Sequence, residues 1–514
     1  MTRESRPGKR FFRQPGGPAR AAFLGALIGG LAAQGMGLFN KFSWHDDIFQ
    51  LFGTGATITS GRWMLQVLME AEDLLFGGHC SVPLLHGFFA LLCVGASAGL
   101  MVALLRIRRP PLCALLGAVM AAFPMLTALF GFMFTAPAYS LALLMITAGA
   151  WLLCAEGRWG WKIPGILLCV CSVGIYQAFL PLLLSLLLLS DLRMLAEGER
   201  PPAALLRRVA GQGICLALIM AAYLAGSRFF LRKYGLVLDT YMGINQAAST
   251  SPLVYLERAG RAYREFFLPS RNVSWDMYPQ HAHYLYLLML CADGLMGLRL
   301  AFTTWRRSRG RAALTLLLLA LFPLGCNFIF VMSEGVHGLM TYGQVMQFAV
   351  FLYLADRLEI RDLRLRRLAS GIAALLLSLT GVMYARYDNQ CYLKTAFQQQ
   401  QAISYYTTLV SRIRGAEGYE DGLPVVFLNE GKIRDKTLAN IDELDFIRLD
   451  PYADTMDTYL NSYAWGAFME RWCGFRAPWA DPAEAAALPE VKEMPHYPDD
   501  GSVRRIGDLM VVRF

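Results

Sequence analysis

Long apolar runs separated by short polar stretches fill the first three quarters of the chain. Most of these runs are long enough to cross about 30 Å of hydrocarbon as an α-helix. The sequence therefore predicts a polytopic all-α membrane protein with about 11 transmembrane helices. The predicted spans are 21–39, 83–105, 112–131, 137–154, 163–176, 178–192, 209–229, 284–304, 312–331, 338–356 and 368–386.

The charges between the spans predict the topology. Arg and Lys cluster in alternate connections, whereas the turns at 131–137 and 332–337 contain neither residue. By the positive-inside rule, the basic connections and the N-terminal tail 1–20 lie in the cytoplasm, and an odd number of spans puts the C-terminus outside. The net charge of +9 is thus a topology signal, and we expect the lipid bilayer, not nucleic acid, as partner.

The fifth and sixth predicted spans leave little room for a turn between them. Pro181 and the polar pair Tyr176-Gln177 favour a break in this stretch. One continuous helix would turn the later Arg-rich connections to the outside, against the charge rule. We therefore predict two spans with a break.

Three regions follow from this pattern: the basic tail 1–20, a transmembrane domain over 21–386, and a polar region over 387–514. The transmembrane domain has two long external loops, 40–82 and 230–283, with helical patterns at 63–76 and 251–267. The residue pattern of the polar region predicts a helix over 396–413 and strands at 424–429 and 508–514. This alternation predicts a small C-terminal α/β extracytoplasmic domain.

Two adjacent carboxylates, Asp46 and Asp47, follow the first span directly. Acidic side chains at the mouth of a span need water or a partner, so they mark a candidate site. One carboxylate can accept the proton of an attacking hydroxyl while the other adjusts its pKa. We take Asp47 as the first candidate for the base and Asp46 as the second. The alternative is a helix cap or an ion pair with Arg62.

Several short motifs together resemble a known family. They are Asp46-Asp47, Gly61-Arg62-Trp63 and the stretch Gly174-Ile175-Tyr176-Gln177-Ala178. With the polar C-terminal region, the set is similar to the bacterial GtrII-type glucosyltransferases over residues 20–390. This resemblance implies a GT-C type glycosyltransferase of the bacterial cytoplasmic membrane. It implies transfer of a sugar, glucose first, from a polyprenyl-phosphate donor to a surface glycan acceptor.

A lipid-phosphate leaving group needs cations or other donors outside the bilayer. The candidates for binding the substrate or its phosphate are Arg62, Arg232, Lys233, Arg271, His337, Tyr342, Tyr176 and Gln177. For the cations the alternative is a surface charge facing water or lipid headgroups, and for His337 it is a capped turn. His281 and His283 lack neighbouring carboxylates, so no metal site is predicted. The cofactor is unknown, with a divalent metal left open.

Two rival functions explain parts of the chain. A transporter or flippase of lipid-linked sugars could use the Asp pair as an ion site, but such proteins commonly have inverted repeats and charges near the midplane. We detect no repeat, and the acids lie at the outer mouth. A structural assembly protein would explain the C-terminal region but gives Asp46 and Asp47 no role.

Overall fold

The computed structural model describes most of the chain. The described residues are 16–43, 46–53, 55, 57–155, 159–198, 201–240, 250–268, 281–306, 308–358, 360–428, 444, 447, 464–478 and 480–514. They divide into two compact units: residues 1–41 with 54–389, and residues 42–53 with 390–514.

The α-helices are numbered here in chain order. They are α1 (Gly17–Phe39), α2 (Asp46–Phe49), α3 (Trp63–Phe76), α4 (Pro83–Leu105), α5 (Pro110–Ala121), α6 (Pro124–Phe130), α7 (Ala136–Leu153), α8 (Lys162–Ile175), α9 (Leu180–Glu197), α10 (Pro202–Tyr234), α11 (Pro252–Phe267), α12 (Ala282–Trp305), α13 (Arg309–Cys326), α14 (Ile329–Met332), α15 (Met346–Arg357), α16 (Leu363–Arg414), α17 (Trp465–Trp472), α18 (Pro482–Ala487) and α19 (Pro489–Lys492). Short 3₁₀ segments cover Trp159–Trp161, Gln177–Phe179 and Gly338–Val345.

Every predicted span coincides with helical structure, which confirms the polytopic all-α class. In the described part of the chain, nine helical segments are long and apolar enough to cross a membrane. Of the other two predicted spans, the third is a pair, α5 and α6, bent by 45°, and the fifth is the 14-residue helix α8. The predicted break is present, because α8 ends at Ile175 and α9 begins at Leu180.

The prediction of two separate helices after residue 367 is wrong. A single 52-residue helix, α16, covers both the predicted span 368–386 and the predicted helix 396–413. The polar residues from Tyr387 to Ile413 include neither Pro nor Gly, so no residue there ends the helix. The division between the two units falls inside α16, after Asn389.

In the first unit, α1 and α5 cross at close range. A Cβ on Gly25 of α1 would overlap the carbonyl of Ala114, and a Cβ on Gly117 of α5 would overlap the carbonyl of Ala22. Small residues let membrane helices approach this closely and gain dispersion energy that lipid-facing leucines cannot supply. The α1–α5 contact therefore depends on these two glycines.

The second unit contains a three-stranded sheet with strand order β1-β3-β2. β1 (Val425–Leu428) pairs parallel with β3 (Leu509–Arg513), and β2 (Val503–Ile506) pairs antiparallel with β3. Val426 and Val511 pack on Val491 and Met494 to form its core. The predicted strands 424–429 and 508–514 are confirmed, whereas β2 is not predicted by the sequence.

The helix crossing leads to a test on α1 itself. We expect Gly25→Val to lower the thermal stability of the detergent-solubilised protein, because overpacking costs about 1–3 kcal/mol. Gly35→Val is the matched control on the same helix, since a Cβ there meets nothing within 4 Å. Melting temperatures and gel-filtration profiles of both variants are the measurement. Equal stability of the two variants contradicts the close-crossing interpretation.

Candidate active site

A tight turn over residues 57–62 precedes α3, and Arg62 is its last residue. The Gly61 amide donates to the Ile58 carbonyl at 2.9 Å, and the Arg62 amide donates to the Thr57 carbonyl at 2.8 Å. Gly61 has a φ of +71°, a conformation in which a side chain is strained. The glycine of the Gly61-Arg62-Trp63 motif is therefore required by the backbone of this turn.

Gln177 and Tyr223 hold the turn from the other side. The Gln177 Nε2 donates to the Ser60 carbonyl at 3.0 Å and to the Tyr223 hydroxyl at 2.9 Å. A Cβ on Gly61 would lie 2.6 Å from that hydroxyl and 2.9 Å from Nε2. The turn is thus fixed both by hydrogen bonds and by the lack of space.

Arg62 lies against two stacked tyrosine rings. Its Nη1 donates to the Tyr139 hydroxyl at 2.9 Å. Its guanidinium carbon lies 5.8 Å from the ring centroid of Tyr139 and 5.6 Å from that of Tyr176, within the range of a cation–π interaction. The rings are stacked with centroids 4.2 Å apart. These contacts fix the orientation of the half-buried guanidinium. We refer to Arg62, Tyr139 and Tyr176 as the arginine clamp.

Trp63 joins the same two sequence motifs. A Cβ on Gly174 of α8 would lie 2.9 Å from the Trp63 ring, and one on Gly226 of α10 would lie 2.8 Å from it. Trp63 also stacks on Phe230 of α10, with the ring centroids 5.5 Å apart. The structure therefore packs Gly61-Arg62-Trp63 directly against the motif Gly174–Ala178, although about 110 residues separate them in sequence.

Arg232 and Lys233 lie at the end of α10 that is next to this turn. Both are exposed, and the Lys233 Nζ lies 4.9 Å from the Tyr234 ring centroid. The Asp239 amide donates to the Thr59 carbonyl at 2.9 Å, so the chain after α10 is bonded to the turn. Lys233 and Arg62 therefore lie at the same end of the membrane helices of the first unit.

Glu70 of α3 also belongs to this end. It accepts a hydrogen bond from the Tyr234 hydroxyl. This bond, with a second one from Gln66, holds the pKa of the Glu70 carboxyl below its ordinary value. Glu70 is therefore a stable anion close to the exposed Lys233 of α10.

Other predicted residues lie apart from the clamp. Tyr342 is buried in the core, and its hydroxyl donates to the Met120 carbonyl at 2.9 Å; we propose that it has a packing role. His337 is half-buried at the start of the 3₁₀ segment Gly338–Val345. Arg271 lies outside the described residues.

Asp46 and Asp47 begin α2 in the second unit. Asp47 is fully buried, whereas Asp46 is partly exposed. Arg471 of α17 donates to the carbonyls of Ile48 and Phe49. Burial lowers the pKa of the Arg471 guanidinium, and the carboxylates of Glu470 and Asp47 oppose that shift. Arg471 thus lies close enough to Asp47 for the two charges to interact.

Sequence reasoning missed three of these residues: Tyr139, Tyr223 and Arg471. Tyr139 follows the uncharged turn 131–137, and Tyr223 is a polar group inside an apolar span. Both positions could have marked these tyrosines as candidate site residues from the sequence alone. Arg471 gives no comparable signal. Among the described residues, no group of three or more His, Cys, Asp or Glu side chains is arranged to hold a metal ion.

The fold and the site define a multi-pass membrane protein with an arginine-centred polar site at the ends of its helices. The family model described as Glucosyl transferase GtrII matches residues 35–354, and the chain belongs to this family. The protein is therefore a membrane glycosyltransferase. No curated protein and no solved structure gives a significant match.

The turn before α3 generates a prediction with an internal control. Gly61→Ala introduces a side chain at positive φ and also a collision with Tyr223 and Gln177. Gly77→Ala carries the same strain, of about 1 kcal/mol, at a φ of +77°, but its Cβ meets nothing within 4 Å. We expect a clearly lower melting temperature for Gly61→Ala than for Gly77→Ala. Identical losses mean that the turn is not packed as described.

Proposed function

We propose that the protein moves a hexose, glucose first, from a polyprenyl-phosphate carrier to a surface glycan on the outer face of the bacterial cytoplasmic membrane. Membership of the glucosyl transferase family supports the reaction class. The charge of the connecting loops supports a cytoplasmic N-terminus, an external C-terminus and an external site.

The observation that carries the proposal is the arginine clamp. In sugar transfer from a lipid phosphate, negative charge grows on the phosphate oxygens as the glycosidic bond breaks. A guanidinium whose orientation is already fixed stabilises that charge without reorganising during the reaction. The Tyr139 hydroxyl and the rings of Tyr139 and Tyr176 fix Arg62 in this way. Arg62 is therefore the proposed phosphate-binding residue.

The exposed cations Arg232 and Lys233 extend this proposal. They lie at the end of α10 that is bonded to the Arg62 turn. We propose that they attract the anionic carrier and contribute less to the reaction itself, since exposed charges are strongly screened by salt. Arg271, Gln177 and His337 stay candidates of different kinds: Arg271 for phosphate, Gln177 for holding the turn, and His337 for the acceptor sugar.

For the Asp pair, exposure suggests a division of roles. A general base must come within hydrogen-bond distance of the acceptor hydroxyl. Asp46 is partly exposed, whereas Asp47 is buried near Arg471. We propose Asp46 as the base and Asp47 as the carboxylate that orients α2, which reverses the order of preference that the sequence suggests.

The transfer reaction is tested with polyprenyl-phosphate-[¹⁴C]glucose and envelope glycan in membranes that contain the protein. We expect Asp46→Asn to lose about 100- to 10,000-fold in transfer rate, as removal of a general base does, with an unchanged melting temperature. Asp47→Asn is expected to lower both activity and stability. Full activity of both variants contradicts the assignment of the pair.

If the wild type transfers no label but moves the lipid-linked sugar across the membrane, the transporter hypothesis replaces the proposed transfer reaction. Other hexose donors are tried before that conclusion is drawn.

The clamp is tested by a conservative change. We expect Arg62→Lys to reduce kcat/KM for the lipid-phosphate donor by about 100-fold, because an ammonium group cannot reproduce bidentate contacts to phosphate. Arg258→Lys is the control, since Arg258 lies over the ring of Tyr255 on its own helix. Steady-state kinetics against donor concentration is the measurement. Equal activity of both variants removes Arg62 from the proposed mechanism.

A further inference from the structure

Asp388 is a fully buried carboxyl group that the proposed reaction does not use. It belongs to the part of α16 in the first unit and has 0% exposure. Neither carboxyl oxygen makes a hydrogen bond of normal geometry with any residue that the structure describes. The hydroxyl of Thr127 lies beside the carboxyl, but this hydroxyl donates to the Gln34 Oε1 at 3.1 Å. Within the described part of the chain, Asp388 therefore lacks the hydrogen-bond partner that a buried acid normally has.

A buried carboxylate without a partner is strongly unfavourable. It must either be protonated or have a cation beside it. In membrane proteins, acids of this kind are rare and usually mark a functional site. Asp293 of α12 differs in that one of its oxygens, Oδ2, accepts a hydrogen bond from Gln347 at 2.5 Å, whereas its Oδ1 has no partner among the described residues.

The surroundings of Asp388 are rich in oxygen. Thr127 lies on α6, directly after the 45° bend that separates α5 from α6. Gln34 of α1 donates to the Ala121 carbonyl at 3.2 Å and to the Thr127 hydroxyl at 2.9 Å. Its amide oxygen therefore faces the same hydroxyl that lies beside Asp388. Side-chain oxygens from three helices thus form a chain of contacts near the break in the span, with the Thr127 hydroxyl between Gln34 and Asp388.

We propose that Asp388, Thr127 and Gln34 bind a monovalent cation, Na⁺ in the first instance. Carboxylate, hydroxyl and amide oxygens are the donors that hard cations prefer. One carboxylate among neutral oxygens balances one positive charge. Broken membrane helices are also where coupling ions bind in other membrane proteins. The ion links α1, the broken span and α16. Gln34 and Asp388 both lie outside the residues that match the family model.

The site is tested on the full-length protein in detergent, without any activity assay. The melting temperature is measured while Na⁺ replaces choline at constant ionic strength and pH. We expect a rise of about 2 °C once Na⁺ exceeds its dissociation constant about tenfold. Asp388→Asn is expected to remove the rise, and Asp293→Asn is expected to keep it. Thr127→Val is expected to shift the response to higher Na⁺.

The outcomes separate the explanations. A rise with Na⁺ or K⁺, but not with choline, supports a monovalent cation site even if Asp388→Asn does not fold, provided that Thr127→Val weakens it. If the melting temperature does not change with Na⁺ or K⁺ and depends only on pH, Asp388 is protonated and binds no cation. This result overturns the proposal. The same response in Asp388→Asn as in the wild type also overturns it.

Discussion

The hydrogen bonds of Gln177 hold together the end of the membrane unit that carries Arg62. One amide nitrogen serves both the Ser60 carbonyl and the buried Tyr223 hydroxyl. Each such bond contributes only about 1 kcal/mol net, but leaving its buried partners unsatisfied costs about 1–3 kcal/mol each. The turn before α3 is therefore strongly determined, and with it the direction in which Arg62 points.

The bilayer explains why the polar groups of this unit cluster at breaks in helices. In hydrocarbon, each backbone N–H and C=O needs a partner within the protein. At the break between α5 and α6, the carbonyls of Met120 and Ala121 accept hydrogen bonds from Tyr342 and Gln34. At the break after α8, Tyr176 becomes extended, which allows its ring to stack on Tyr139. A break in a span thus specifies where buried polar side chains are placed.

Most of this architecture could be predicted from the sequence, because apolar length and loop charge are local signals. The break at Tyr176-Gln177 follows from Pro181 and the charge rule, and it is present. The partner of Arg62 could not be predicted, since Tyr139 is 77 residues away and no local pattern pairs the two. The continuity of α16 past residue 386 was predictable from the absence of Pro and Gly between Tyr387 and Ile413, but the change in polarity there obscured it.

The same change in polarity hid Asp388. A charged residue just past a predicted span is naturally assigned to water, and Asp388 stands in such a position. Because α16 continues without a break, Asp388 stays in the first unit and is fully buried. Asp46, also just past a span, is partly exposed. Position along the chain therefore does not separate the proposed catalytic base from a buried carboxyl group. The difference lies in the surroundings: a base needs access to its substrate, whereas a buried carboxyl needs a proton or a cation.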